Sequence, residues 1–140
     1  MTPALFVPSS RVPQHVWAFA VLYFAASLAH FSHNAEYIAF YPNMRKGLTR
    51  EQVYLVWLAI TGVGAIGFAA LRLRWTIVGA AFLLAYGAMG LDGLGHYWLA
   101  LCSEHSIAAN ITIWAEAVTG VVLAVSCGAF IARVVRGVSR

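Results

Sequence analysis

Four long stretches of mainly apolar residues, separated by short polar segments, dominate the pattern along the chain. Each is close to the roughly 20 residues that an α-helix needs to cross a bilayer. The pattern predicts an all-α integral membrane protein, a single domain over residues 1–140 built as a four-helix transmembrane bundle. The helices are expected at about residues 14–41, 50–71, 75–102 and 107–135, after an extended arm (1–13) and before a basic tail (136–140).

Helix start signals support two of these boundaries. Thr49 and Gln52 form a T-x-x-Q capping box ahead of the second helix, and Ser106 is placed to cap the fourth. Pro42 stops the first helix.

Composition agrees with a membrane protein, because 61% of the residues are hydrophobic and only 10% are charged. The mean hydropathy is +0.77, whereas a soluble domain carries about a quarter charged residues. The net charge of +4 comes with no basic stripe interleaved with aromatic residues, so we expect no nucleic-acid partner. Two cysteines are too few for a disulfide framework.

The distribution of Lys and Arg predicts the orientation. With four crossings, the N-terminus, the second loop and the C-terminus share one side of the membrane. That side holds Arg11, Arg72, Arg74, Arg133, Arg136 and Arg140, and the other side holds Arg45, Lys46 and Arg50. The excess favours both termini in the cytoplasm, and we expect the bacterial inner (plasma) membrane.

The stretch AHFSHNAEYIAFY, residues 29–41, is polar where lipid favours apolar side chains. It places His30, His33, Asn34 and Glu36 inside the first predicted helix. Ionisable groups at membrane depth are costly, and they commonly mark a functional site.

Helices three and four place further polar groups at the same depth. With a helical rise of about 1.5 Å per residue, His33, Asp92 and Glu116 each lie roughly 14 Å below one membrane face. His96 lies close to that level, one turn beyond Asp92. Three helices therefore contribute polar groups to one half of the membrane, the outer half in the predicted orientation.

Helical spacing gives a partial angular picture. His30 and Asn34 share one face, and so do Asp92 and His96. Glu36 points away from His30 by about 120°, so it is expected to face helix two, the basic first loop or a neighbouring subunit.

Metal binding is the leading functional hypothesis, since histidine and carboxylate ligands at i,i+3 and i,i+4 spacing suit a transition metal such as zinc, iron, copper or manganese. Glu116 and Asp92 would also serve catalysis on a lipid-soluble substrate. Glu36 and His105 are reserve ligands. The expected ligands are His30, His33, Asp92, His96 and Glu116, and the residues expected to orient them are Asn34, Asn110 and Thr112.

Other interpretations of the same residues stay open. A b-type haem between two histidines is one, with glycines Gly87, Gly90 and Gly93 making room for it or simply allowing close helix packing. Metal-free acid–base chemistry, as in an isomerase, a hydratase or a proton-coupled transporter, is another. The protein could also be a non-catalytic subunit of a larger membrane complex, or it could form a homo-oligomer. In the last alternative, the buried polar side chains only satisfy one another and have no further function.

Overall fold

The computed structural model describes residues 11–138. Most of the predicted N-terminal arm and the end of the basic tail therefore lie outside the described residues. Within the described part the chain is all-helical, without strands, and 84% of it is helix.

Five α-helices and three short 3₁₀ segments make up the described chain. The α-helices are α1 (Gln14–Glu36), α2 (Arg50–Arg72), α3 (Thr76–Ala88), α4 (His96–Leu99) and α5 (Ile107–Val138). The 3₁₀ segments are Ile38–Phe40, Met89–Gly95 and Cys102–Glu104.

Four helical spans are long and apolar enough to cross a membrane: α1, α2, the combined stretch Thr76–Leu99, and α5 over Ile107–Gly137. Their most apolar windows have mean hydropathies of 1.3, 2.0, 1.6 and 2.1. The structure thus supports a multi-pass membrane protein.

The first helix is shorter than the apolar pattern predicts. A helix is expected to about residue 41, but α1 ends at Glu36, and Tyr37 leaves the helical region with φ −116°. One 3₁₀ turn follows, and Tyr41 is already extended. The residue before a proline disfavours the helical conformation, so Pro42 accounts for the extended Tyr41.

The third span is not the continuous α-helix predicted over residues 75–102. Its middle, Met89–Gly95, is a 3₁₀ segment between α3 and α4, and Ala100 is extended. Gly90, Gly93 and Gly95 lie in this segment, and each glycine weakens an α-helix by about 1 kcal/mol relative to alanine. The break turns the side chains of residues 92–96 relative to those of α3.

The helices pack in the ring order α1–α5–α3–α2. The contacts of α5 with α1 and α3 are extensive, and those of α1 with α2 are the sparsest of the four neighbouring pairs. The half of the interior towards the termini is built around buried apolar side chains, among them Val16, Leu83, Leu123 and Cys127. The seam between α1 and α2 is therefore the loosest side of the bundle.

Glycines allow the closest helix approach, between α3 and α5. A Cβ at Gly87 would lie 2.6 Å from the carbonyl oxygen of Gly120, and one at Gly90 would lie 2.9 Å from that of Glu116. The glycines at these two positions serve helix packing, so α5 fills the space that a flat ligand would need there.

Both capping expectations are confirmed. The Thr49 hydroxyl accepts from the Gln52 amide while the Gln52 side chain accepts from the Thr49 amide. The Ser106 hydroxyl accepts from the Ala109 amide at 3.1 Å. At the same end of the bundle, Asn43 donates to the Leu99 carbonyl at 2.8 Å, which ties the first loop to α4.

Candidate functional site

Four polar side chains from three parts of the chain meet in the interior, in the half of the bundle away from the termini. His30 and Asn34 come from consecutive turns of α1, His96 from the start of α4, and Glu116 from α5. His30 and Glu116 are each 1% exposed, and Asn34 is 6% exposed. We call these four residues the inner polar site.

His30 and Glu116 are the most enclosed pair in this site. His30 Nε2 lies 3.6 Å from Glu116 Oε2, and that oxygen has no hydrogen-bond partner among the described residues. Gly93 is adjacent, because a Cβ there would lie 2.9 Å from Glu116 Oε2 and 3.6 Å from His30 Nε2. Because Gly93 has no Cβ, the Glu116 carboxyl has room beside the His30 imidazole.

Asn34 joins the two histidines of the site. Its Nδ2 lies 3.0 Å from His30 Nε2 and 3.1 Å from His96 Nε2. An amide nitrogen only donates, so both imidazole nitrogens accept. Each neutral ring consequently carries its proton on Nδ1.

Thr112 supports this tautomer at His30 independently. The Thr112 hydroxyl donates to the Ala109 carbonyl at 3.0 Å, so it has no proton left for a second bond. At 3.4 Å from His30 Nδ1 it can only accept. Because side-chain amide orientation is assigned from such networks, Thr112 also supports the orientation of the Asn34 amide.

A cavity of about 190 Å³ gives access to the site from the seam between α1 and α2. His30, Asn34, Asp92 and His96 form its polar wall, and Val53 and other residues of α2 and the first loop form its apolar wall. Asp92 is exposed. The cavity thus reaches both histidines of the inner polar site.

A second group of rings lies at the outer end of the bundle, around Tyr41. The Tyr41 hydroxyl is 2.7 Å from His33 Nδ1, and the Tyr41 ring contacts those of His96 and His105, with centroids at 5.0 and 6.1 Å. Burial raises the pKa of Tyr41 to about 12, so the phenol keeps its proton and forms its hydrogen bond to His33 as a neutral hydroxyl. His33 is thereby turned away from Glu116, towards an outer cavity of about 470 Å³.

His105, a reserve ligand in the sequence hypothesis, belongs to this outer group. Its Nδ1 lies 3.0 Å from the Leu101 carbonyl, to which it donates. Its Nε2 is buried without a partner among the described residues.

Two other expected residues lie outside the inner polar site. Glu36 accepts from Tyr54 at 3.0 Å and from Arg50 at 3.4 Å, so it faces α2, one of the three expected directions. Asn110 accepts from the Tyr97 hydroxyl at 2.8 Å and donates to the Cys102 carbonyl at 3.0 Å. Asn110 also donates to the His105 carbonyl at 3.4 Å, so it holds the loop before α5, and it bonds to none of the five expected ligands.

The positions of these side chains can be compared with the geometry that a metal ion or a haem requires. Across the described chain, no three His, Cys, Asp or Glu side chains are grouped so as to hold one metal ion. The 3.6 Å between His30 Nε2 and Glu116 Oε2 is near the roughly 3.3 Å that separates two ligands of a tetrahedral zinc. The Asn34 amide, however, lies between His30 and His96. The ring centroids of these two histidines are 5.4 Å apart, and the ring planes are inclined at 71° to each other.

Sequence reasoning missed a set of polar groups deeper in the bundle. Ser27 is a neighbour of both Tyr23 and Glu116, and the Tyr23 ring packs edge-on against Tyr86, with centroids at 4.5 Å. Within the described residues, their hydroxyls have no hydrogen-bond partner, and the same holds for Thr61. The sequence did contain a signal for this set: intervals of four, three and four residues place Tyr23, Ser27, His30 and Asn34 on one face of α1.

Comparisons of the chain with protein-family models, with curated proteins and with solved structures gave no match.

Proposed function

We propose that this membrane protein performs acid–base chemistry of the isomerase type on a lipid-soluble molecule bound in the outer half of the bundle. The observation that carries the proposal is the enclosed pair of His30 Nε2 and Glu116 Oε2, 3.6 Å apart, beside a cavity that also exposes His96. A carboxyl group and an imidazole in such contact can exchange a proton.

Each residue has a distinct part in this chemistry. His30 and His96 face the cavity. His96 Nε2 removes a proton from the substrate, while the carboxylic acid of Glu116, through the adjacent His30 Nε2, supplies one. The proton held by His96 then returns to the Glu116 carboxylate, which restores the resting state. Asn34 donates to both rings while they are neutral, and its Oδ1, which has no partner among the described residues, accepts when a ring becomes protonated.

The apolar interior towards the termini favours an enzyme over a transporter. A transporter of polar solutes or protons needs a path from both membrane faces, whereas the interior towards the termini is occupied by an apolar cluster that includes Val16, Leu83, Leu123 and Cys127. Substrate would arrive from the lipid or the outer face through the seam between α1 and α2.

The acid–base proposal is tested by infrared spectroscopy of the purified protein. We expect a carboxylic-acid C=O band that is sensitive to H/D exchange and is lost in Glu116→Gln. Glu36→Gln is the matched control, because Glu36 is exposed and pairs with Arg50. Identical carboxyl bands in the wild type and Glu116→Gln would refute the proposal.

A transition metal is the second candidate, supported by the accepting Nε2 atoms of His30 and His96 near Glu116 Oε2. Zinc, iron, copper or manganese would be bound by these three groups after Asn34 swings away. Elemental analysis of the purified protein tests whether it binds a metal. Stoichiometric metal that is lost in His96→Gln supports this candidate, and a metal-free protein with the titrating Glu116 band rejects it.

The orientation completes the proposal. The ends of α1, α2, α3 and α5 that carry Arg11, Arg72, Arg74, Arg133 and Arg136 face the cytoplasm, which leaves the inner polar site in the outer half of a plasma membrane.

A further inference from the structure

A line of four polar side chains connects the inner polar site with the outer end of the bundle. It begins at His30, passes through Thr112 and Tyr41, and ends at His33. We call these four residues the outer relay. Two of them lie on α1, Thr112 lies on α5, and Tyr41 follows the 3₁₀ turn after α1. The line is therefore assembled by the tertiary fold and is not a feature of one helix.

Each member of the outer relay contacts the next through an atom that can hold a proton. His30 Nδ1 lies 3.4 Å from Thr112 Oγ1. The Thr112 side chain interacts with the Tyr41 hydroxyl, which lies 2.7 Å from His33 Nδ1. A hydroxyl group both donates and accepts, and a neutral imidazole has one nitrogen in each role. Chains of such groups inside a membrane are suited to passing protons.

The two ends of the relay differ in their access to water. His30 is 1% exposed, and its Nε2 lies 3.6 Å from Glu116 Oε2. His33 is partly exposed and lines the outer cavity of about 470 Å³. Tyr41, between them, is 6% exposed. The relay thus joins the enclosed imidazole and carboxyl pair to the surface of the outer end.

We propose that the outer relay transfers protons between His30 and water at the outer end of the bundle. When His30 receives a second proton on Nε2, its Nδ1 proton passes to Thr112 Oγ1. The Thr112 proton turns from the Ala109 carbonyl, which it meets at rest, to the Tyr41 oxygen. The Tyr41 proton moves to His33 Nδ1, and His33 releases its Nε2 proton to water.

This transfer is balanced and reversible. One proton leaves His30 and one reaches water, while Thr112, Tyr41 and His33 each gain one proton and lose one. A proton that returns along the same path restores every group. The use of the relay in catalysis rests on the proposed acid–base function, because there it would load and unload the proton of Glu116. The relay itself is tested independently of that function.

The test measures exchange of the His30 Nδ1 proton with water by ¹⁵N NMR of the detergent-purified protein. In Tyr41→Phe the ring remains but the hydroxyl is missing, so exchange should be slower by about a hundredfold, the lower end of what a positioned proton-transfer group contributes. His33→Gln removes the outer acceptor and should also slow it. The Trp57 indole proton, which is buried and has no hydrogen-bond partner among the described residues, reports general opening of the bundle. Its exchange should be the same in all these proteins.

Tyr54→Phe is the matched control, because its hydroxyl bonds a carboxylate of α1 outside the inner polar site. It should leave exchange at the wild-type rate. If Tyr41→Phe fails to fold, His33→Gln is the decisive variant. Unchanged or faster exchange of the His30 proton, or an equal slowing of the indole proton, would overturn the proposal. The Glu116 infrared band tests the acid–base function separately, because a relay changes the rate of proton exchange and not its equilibrium.

Discussion

Asn34 is the residue on which the geometry of the inner polar site depends most. Its amide donates to His30 and His96 at once, so it fixes the tautomer of both rings and the distance between them. Such residues, which hydrogen-bond the reacting groups, commonly decide whether a site is correctly arranged.

The histidine tautomers are the first prediction. In the neutral state, ¹⁵N NMR should show His30 and His96 protonated on Nδ1, with Nε2 accepting a hydrogen bond. In Asn34→Leu both Nε2 atoms lose their donor, and the protein should be destabilised by about 1–3 kcal/mol. A neutral His30 with its proton on Nε2 would show that the arrangement is wrong.

Gly93→Ala tests the contact between the third span and Glu116. The new methyl group would lie 2.9 Å from Glu116 Oε2, so the carboxyl has to move away from His30. We expect a loss of about 1–3 kcal/mol in the free energy of unfolding and a changed Glu116 infrared band. Gly95→Ala is the control, because its Cβ would have no atom within 4 Å. Equal effects of the two substitutions would contradict this account.

At the residue scale, the sequence indicated part of the site. Depth alone grouped His30, His96 and Glu116, which the structure brings together, but it also grouped His33, which faces Tyr41. The depth of a residue in the membrane does not tell which way its side chain points. Which way His33 turns depends on the 3₁₀ turn and Pro42 bringing Tyr41 back over the end of α1, a tertiary effect that helical spacing does not contain.

At the element scale, the two halves of the third span have different structural roles. Its first half, α3, packs tightly on α5 through Gly87, while its 3₁₀ segment presents Asp92 and Gly93 to the cavity and to Glu116. Apolar length predicted the four spans well, because length and hydropathy are properties of sequence alone. The break in the third span depends on how several glycines pack against the other helices. The apolar pattern of residues 75–102 does not contain this packing, so it was equally compatible with an unbroken helix.

Close packing of α3 on α5 predicts strong effects of small substitutions. Gly87→Ala and Gly120→Ala both place a methyl group against the facing backbone and should lower the free energy of unfolding by about 1–3 kcal/mol. Gly62→Ala, on α2 with no atom within 4 Å of the added Cβ, should be neutral or slightly stabilising. Unfolding in detergent measures all three, and a neutral Gly120→Ala would contradict the packing.

At the scale of the whole molecule, the bundle is divided into an apolar half towards the termini and a polar half away from them. Buried apolar side chains form the core of the first half, and the cavity at the seam between α1 and α2 reaches the polar groups of the second half. This division is what the proposed chemistry on a molecule arriving from the membrane requires.

The two cysteines provide a test of orientation. Cys102 is exposed at the end that carries the polar half, and Cys127 is fully buried. If the termini are cytoplasmic, a membrane-impermeant maleimide added to intact cells should label the wild type but not Cys102→Ser. Labelling only after the cells are opened would reverse the orientation.

Whether His30 and Glu116 exchange a proton is the central claim, and a pH titration of the Glu116 carboxyl infrared band tests it most directly. Two groups that share a proton titrate as a coupled pair. The midpoint should therefore move by about one pH unit or more in His30→Gln, while His33→Gln, which lies against Tyr41, should leave it unchanged. The same midpoint in the wild type and His30→Gln would contradict the account.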